Sequence, residues 1–86
     1  MWYVYILECQ DGKLYTGLSE DPQRRFCEHQ NSGSHFTSYN PAKSLLYTEK
    51  FANKSQTAKR EKQIKGWTRR KKIALINGDF ELLKKL

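Results

Sequence analysis

Residues 2–9 read Trp-Tyr-Val-Tyr-Ile-Leu-Glu-Cys and split by alternation into Trp2/Val4/Ile6 and Tyr3/Tyr5/Leu7/Cys9. Both sets are largely apolar or aromatic, which predicts a strand buried on both faces and therefore central in its sheet. Residues 13–18, Lys-Leu-Tyr-Thr-Gly-Leu, predict a second strand, joined to the first through Gln10-Asp11-Gly12. Two registers are open. A two-residue turn at Asp11-Gly12 pairs Gln10 with Lys13 and Tyr5 with Leu18, leaving Tyr5 and Tyr15 on opposite faces. A three-residue loop, with Gly12 in the left-handed position of a bulge, pairs Cys9 with Lys13, Leu7 with Tyr15 and Tyr5 with Gly17, and puts both tyrosines on one face.

Asp21 is a good N-cap with Pro22 at the first helical position, predicting a helix to about Asn31 that Gly33 ends. Arg25 and His29, four residues apart, share one helix face, and Phe26 is expected to anchor the helix to the sheet. Residues 33–43 read as an irregular loop turning at Asn40-Pro41. Residues 44–51 predict a third strand with Leu45, Tyr47 and Phe51 on one side and Leu46 and Thr48 on the other. A second helix is expected from Ser55 to Lys65, stopped by Gly66. A third, capped by Thr68, runs to about Asn77-Gly78, and Asp79 starts a last short turn through Leu82 and Leu83. The order β-β-α-β-α-α describes an α+β fold, a three-stranded antiparallel sheet flanked by helices, in one domain spanning 1–86.

Composition narrows the functions. A chain of 86 residues buries only about 60–65% of its surface on folding, leaving no room for a large cofactor pocket. Sixteen Lys+Arg against nine Asp+Glu give a net charge of +7 and a pI of about 9.6, which favours a polyanionic partner. Cys9 and Cys27 are too few for a zinc site and read as small core hydrophobes. No apolar run approaches the ~18 residues of a membrane span, and Trp2–Leu7 is too short for a signal-peptide core. A cytoplasmic protein without a membrane partner is expected. Half of the basic residues, Lys59, Arg60, Lys62, Lys65, Arg69, Arg70, Lys71 and Lys72, fall within one segment. Glu61 is the only acid between Glu49 and Asp79. The segment suits a phosphate track, with a solvated basic face as the plainer alternative. Glu61 taken alone suits an i, i+4 pair with Lys65.

Together these residues carry a resemblance. Tyr3-Val4-Tyr5 and Tyr15-Thr16-Gly17 are similar to the paired signature strands of the GIY-YIG nuclease superfamily. Asp21 to Arg25, with His29 four residues on, resembles its D-x-x-x-R-x-x-x-H helix, and Glu61 matches its metal-binding glutamate. The likeness is closest to small stand-alone bacterial members, which resemble the N-terminal nuclease domain of the bacterial repair excinuclease. It implies a Mg²⁺-dependent (or other divalent-cation-dependent) endonuclease that hydrolyses phosphodiester bonds in DNA, with branched DNA or DNA repair as the setting. In that scheme Tyr5 is the general base, Tyr15 orients the attacking water, Arg25 holds a phosphate oxygen, and His29 joins the network or relays a proton. Glu61 holds the metal. Lys13, Lys59, Lys62, Lys65, Arg69, Arg70, Lys71 and Lys72 would bind nucleic acid. A site that needs both hydroxyls requires the three-residue loop, which is therefore predicted. Lys13 is expected to help lower the Tyr5 phenol.

Departures from the signature are Tyr3 for a glycine and Thr16 for an isoleucine. His35 and Asn77 have no secure family counterpart. No added DNA-binding domain is read in these residues, so substrate preference stays open. Two competitors remain: a non-catalytic nucleic-acid-binding module using the same basic face with Trp67, Tyr39 or Phe36 stacked on bases, and a subunit whose partner protein supplies specificity.

Overall fold

The computed structural model describes residues 1–30 and 42–86, with the side chains of His29 and Gln30 outside that description. The predicted helix stop at Gly33, the Asn40-Pro41 turn, His35, Phe36 and Tyr39 also lie outside the described residues. The chain forms β1 (Trp2–Cys9), β2 (Leu14–Ser19), α1 (Pro22–Gln30), β3 (Ala42–Phe51), α2 (Lys54–Lys65), α3 (Arg69–Ile76) and α4 (Phe80–Lys85). The sheet order is β2-β1-β3 and both pairings are antiparallel. The α+β architecture is the expected one, with a fourth helix in place of the short turn expected after Asp79. The Asp79 carboxylate starts it by accepting the Leu82 N–H at 3.1 Å. Asn53 and Thr68 cap α2 and α3 in the same way.

β1 is central because both its faces are apolar: Val4, Tyr5, Ile6, Leu7 and Cys9 are all buried. Its connection to β2 is the three-residue loop. Gly12 N–H donates to the Cys9 carbonyl and Cys9 N–H to the Lys13 carbonyl, each at 2.9 Å. Gly12 sits at φ 86°, a backbone conformation that side chains with a Cβ rarely adopt. The register follows, with Leu7 opposite Tyr15 and Tyr5 opposite Gly17.

The even-numbered face of β1 carries the dry core. Val4 and Ile6 meet Ile64 of α2 and Leu75 of α3, with Leu14, Tyr47, Phe51, Trp67, Ile76 and Leu83 packed around them. Truncating a residue such as Ile64 to alanine here would cost about 2–5 kcal/mol through lost transfer energy and the cavity left behind. The odd-numbered face, bearing Tyr3, Tyr5 and Leu7, lies under α1. Tyr3, Leu45 and Thr48 line a crevice together with Asp21 and Pro22 of the helix start.

β3 departs from simple alternation. Ile6 pairs with Tyr47 and Leu7 with Leu45, so Leu46 is an extra, unpaired residue, a β-bulge. The expectation that Leu45 shares a side with Tyr47 and Phe51 is therefore corrected. The bulge keeps Tyr47 and Phe51 on the core face and moves Leu45 to the α1 face. A second correction concerns Cys27, which is exposed on α1, whereas Cys9 is buried as expected; both thiols are free.

Candidate active site and nucleic-acid interface

The three-residue loop determines where the tyrosines meet. Tyr5 and Tyr15, on adjacent strands and one face, contact edge to face with ring centroids 6.3 Å apart and an interplanar angle of 69°. The Tyr5 ring crosses β2 directly over Gly17. A Cβ placed at Gly17 would lie 2.5 Å from the Tyr5 hydroxyl oxygen, well inside van der Waals contact. Only glycine leaves room for the ring in this position.

From the α1 side, Arg25 reaches the same hydroxyl. Its guanidinium donates to Tyr5, and this bond is the largest cause holding the Arg25 pKa above its ordinary value. The helix that delivers it starts at Asp21, whose carboxylate accepts the Arg24 N–H at 3.2 Å and whose own N–H is held by the Ser19 hydroxyl. Arg25 also donates to Glu28 at 2.7 Å. A phosphate would therefore compete with Glu28 for this guanidinium. Glu28 is not among the residues the sequence singles out, although its i, i+3 spacing from Arg25 is the available signal.

Tyr5 is 1% exposed. Burial raises its pKa above the ordinary phenol value and outweighs the bond from Arg25, which lowers it. The Glu61 carboxylate on α2 adds a smaller upward push. The expected lowering by Lys13 is corrected: Arg25 is the cation that opposes the rise. Lys13 lies on the exposed hairpin loop 3.9 Å from Asp11. The backbone of His29 is on α1, one turn beyond Arg25.

Glu61 approaches from the opposite layer, close enough for its charge to act on Tyr5. Its side chain is 17% exposed and accepts from Lys65 at 3.0 Å, the local pair its spacing suits. Among the described residues no group of three or more His, Cys, Asp or Glu side chains gathers as a metal cage. The donor set is thus one hard carboxylate on a helix rich in Lys and Arg. That fits Mg²⁺, which keeps several waters and is commonly held by one or two carboxylates plus substrate phosphate.

The basic segment divides. Arg60 donates to Glu49 at 3.1 Å and to Gln63 at 2.8 Å, and its guanidinium lies over the Trp67 ring, 5.1 Å from the centroid. Lys71 lies against the same ring at 4.6 Å. Trp67 also packs on the core, so these cations occupy the ring that was a candidate base-stacking platform. Arg69 and Lys72 turn toward the hairpin loop, where Lys13 is, and Lys72 feels the charge of Lys65. Lys59, Lys62 and Arg70 are exposed.

This geometry has counterparts in known proteins. Residues 1–74 match the family described as the GIY-YIG catalytic domain. The chain belongs to the GIY-YIG family. It is 42% identical over 76 residues to a UPF0213 protein of Staphylococcus saprophyticus, covering 87% of this chain and 93% of the relative. It is 40% identical over 78 residues to a UPF0213 protein of Pseudomonas aeruginosa, covering 90% of this chain and 75% of that one. The solution NMR structure of a UPF0213 protein from Bacillus halodurans superposes with a TM-score of 0.57 at 39% identity, over 90% of this chain and 84% of that chain. Membership places the chain among nuclease domains, and its relatives are small bacterial proteins. Among the described residues no helix is long and apolar enough to cross a membrane.

Proposed function

We propose that residues 1–86 act as one divalent-metal-dependent endonuclease domain that hydrolyses phosphodiester bonds in DNA. Branched or damaged DNA in the cytoplasm would be the substrate, and a partner protein could supply specificity. The observation that carries this reading is the Tyr5 hydroxyl. It is built into position over Gly17, edged by Tyr15 and bonded by Arg25, a costly arrangement for a residue that only fills space. In this scheme Tyr5 takes the proton of the attacking water and Tyr15 orients that water. Arg25 leaves Glu28 to bind a non-bridging phosphate oxygen, where its planar fork serves both ground and transition state. His29 joins the network from one turn further along α1. Glu61, released from Lys65, would hold the divalent ion. That ion, when bound, would offset the charge developing on the leaving oxygen.

The phenol poses a condition. With its pKa raised, Tyr5 is neutral at neutral pH, and only its ionised fraction accepts a proton. Charge neutralisation at Glu61 removes one upward push on that pKa, so cation binding and base strength are linked.

The test is product formation from branched, nicked and single-stranded DNA, with Mg²⁺ or EDTA, by the parent, Glu61→Ala and Tyr5→Phe. Binding curves at matched salt run beside it. Metal-dependent cleavage in the parent, lost in both variants with binding retained, is the expected result. Parent-level cleavage by both variants would sink the mechanism. Binding without cleavage in all three would favour the non-catalytic binding module.

A further inference from the structure

Lys13 of the hairpin loop, Leu14 of β2, and Arg69 and Lys72 of α3 line one open pocket at the loop end of β2. Three features make this more than a solvated charge run. The pocket is assembled from elements far apart in sequence and is braced, because Arg69 donates to the Gly12 carbonyl and pins α3 to the loop. Like charges crowd here: Lys13 lies 3.9 Å from Asp11, but the charge felt by Lys72 is that of Lys65, another cation. Lys72 is also the part-buried member, and burial first, then the charge of Lys65, lowers its pKa. By contrast Arg60 and Lys71, from the same basic segment, are engaged with Glu49 and Trp67.

The location adds direction. β2 is an edge strand, and the same strand carries Tyr15 and Gly17. Leu14 packs on the core side of the sheet whereas the Tyr5 ring crosses Gly17 on the α1 side, so a DNA strand running from the pocket to the tyrosines rounds the edge of β2. Leu14 and Gly17 are about 10 Å apart along that edge, a span of roughly two to three nucleotides of one DNA strand.

We propose that the pocket formed by Lys13, Arg69 and Lys72 is a phosphate subsite that holds the substrate strand roughly two to three nucleotides from the bond being cut. The inference rests on DNA as the substrate, as proposed above. It makes the hairpin loop and α3 a strand-positioning device separate from Tyr5, Arg25 and Glu61, and it makes very short substrates poor ones.

The test uses the whole chain and two probes, with Lys13→Gln and Lys72→Gln as variants. Lys84→Gln, on the exposed end of α4, controls for net charge. First, pyrophosphate is titrated while backbone amide signals are followed by NMR. The signals of Gly12, Lys13 and Lys72 should move in the parent. The half-saturating concentration should rise several-fold in each pocket variant and stay unchanged in Lys84→Gln. Second, binding of a DNA duplex is measured in EDTA over a range of salt. The log–log salt slope should shrink by about 1 in Lys72→Gln, as when one phosphate contact is lost, and by clearly less in Lys84→Gln. Equal pyrophosphate response in parent and pocket variants, or an unchanged DNA slope in Lys72→Gln, overturns the proposal. Cleavage in Mg²⁺ is scored separately. A chain that passes both binding tests and cuts nothing keeps the subsite and loses the nuclease reading. A chain that cuts DNA with an unaltered Lys72→Gln slope does the reverse.

Discussion

The two faces of the sheet each carry a tyrosine with a raised pKa, and the contrast between them shows what readies a phenol for chemistry. Tyr47, on the core face, donates to Glu49 at 2.6 Å. Burial comes first and the carboxylate adds to it, so its pKa is pushed far above the ordinary range. Tyr5, on the α1 face, is also raised by burial, but its partner is a cation that lowers it. Both hydroxyls are fixed in place. Only the Tyr5 hydroxyl is fixed by a group that favours its anion and that could at the same time receive a phosphate.

The sharpest way to break the contrast is to remove each hydroxyl. Tyr5→Phe should lower cleavage by about 10²–10⁴-fold, the usual worth of a general base. Tyr47→Phe should leave cleavage near the parent level, and melting curves should show both variants folded. Equal losses from the two would mean the faces do not differ in function.

Next in size is Gly17→Ala. A methyl group 2.5 Å from the Tyr5 hydroxyl must displace that ring. Cleavage should fall by at least about tenfold, since small misplacements of a reacting group are costly. The double variant Gly17→Ala/Tyr5→Phe should be no slower than Tyr5→Phe alone, because both changes act through one hydroxyl. Additive losses would detach Gly17 from Tyr5.

The pH dependence sharpens the same point. Because the Tyr5 pKa is raised, the ionised base is scarce at neutral pH. Cleavage should climb about tenfold per pH unit on the acid side of that pKa. A profile flat from neutral upward would exclude Tyr5 as the base. Glu61→Gln removes a charge that raises the phenol, so it should lower the Tyr5 pKa in a tyrosine NMR titration while leaving Tyr47 in place.

The smallest effects belong to the core face. Arg60→Ala should destabilise the chain by about 1 kcal/mol through loss of the part-buried Glu49 pair and the Trp67 contact, with little change in cleavage. Thr16 presents a buried hydroxyl with no hydrogen-bond partner among the described residues. Thr16→Val should therefore raise stability by about 1 kcal/mol in a denaturant melt, since an unmet hydroxyl is replaced by a methyl of similar shape.

The sequence reveals most where local rules act alone. Asp21 and Thr68 act as helix caps on local grounds, whereas local rules leave the hairpin open between two registers, and only the need for both tyrosines on one face singles out the loop with Gly12 left-handed and Tyr5 opposite Gly17. Partners chosen in three dimensions are illegible. Nothing in the spacing of Arg60 announces Glu49, eleven residues away, and nothing in Arg69 announces the Gly12 carbonyl, 57 residues away. Arg25 can be placed on the correct helix face, but its competition with Glu28 and the outcome of burial against charge at Tyr5 need the packed structure. Cys27 defeats the sequence for a related reason. Periodicity locates a stripe on a helix, yet how far the sheet covers that stripe depends on the helix's seat.

The extra residue at Leu46 has a consequence for how this strand can change. It works as a phase shifter: Ser44 and Leu45 before it and the residues after it obey the same alternation but with opposite assignment of faces, and a second shift lies between Ala42 and Ser44. One end of β3 can thus place Leu45 under the helix that carries Arg25, while the other seats Tyr47 and Phe51 in the core. Deleting a single residue there would remove this phase shift, leave only the second one between Ala42 and Ser44, and force one end into the wrong layer. Exchanging one apolar side chain for another at the same position would not. The strand is tolerant in spelling and strict in length, although it contributes no residue to the tyrosine pair.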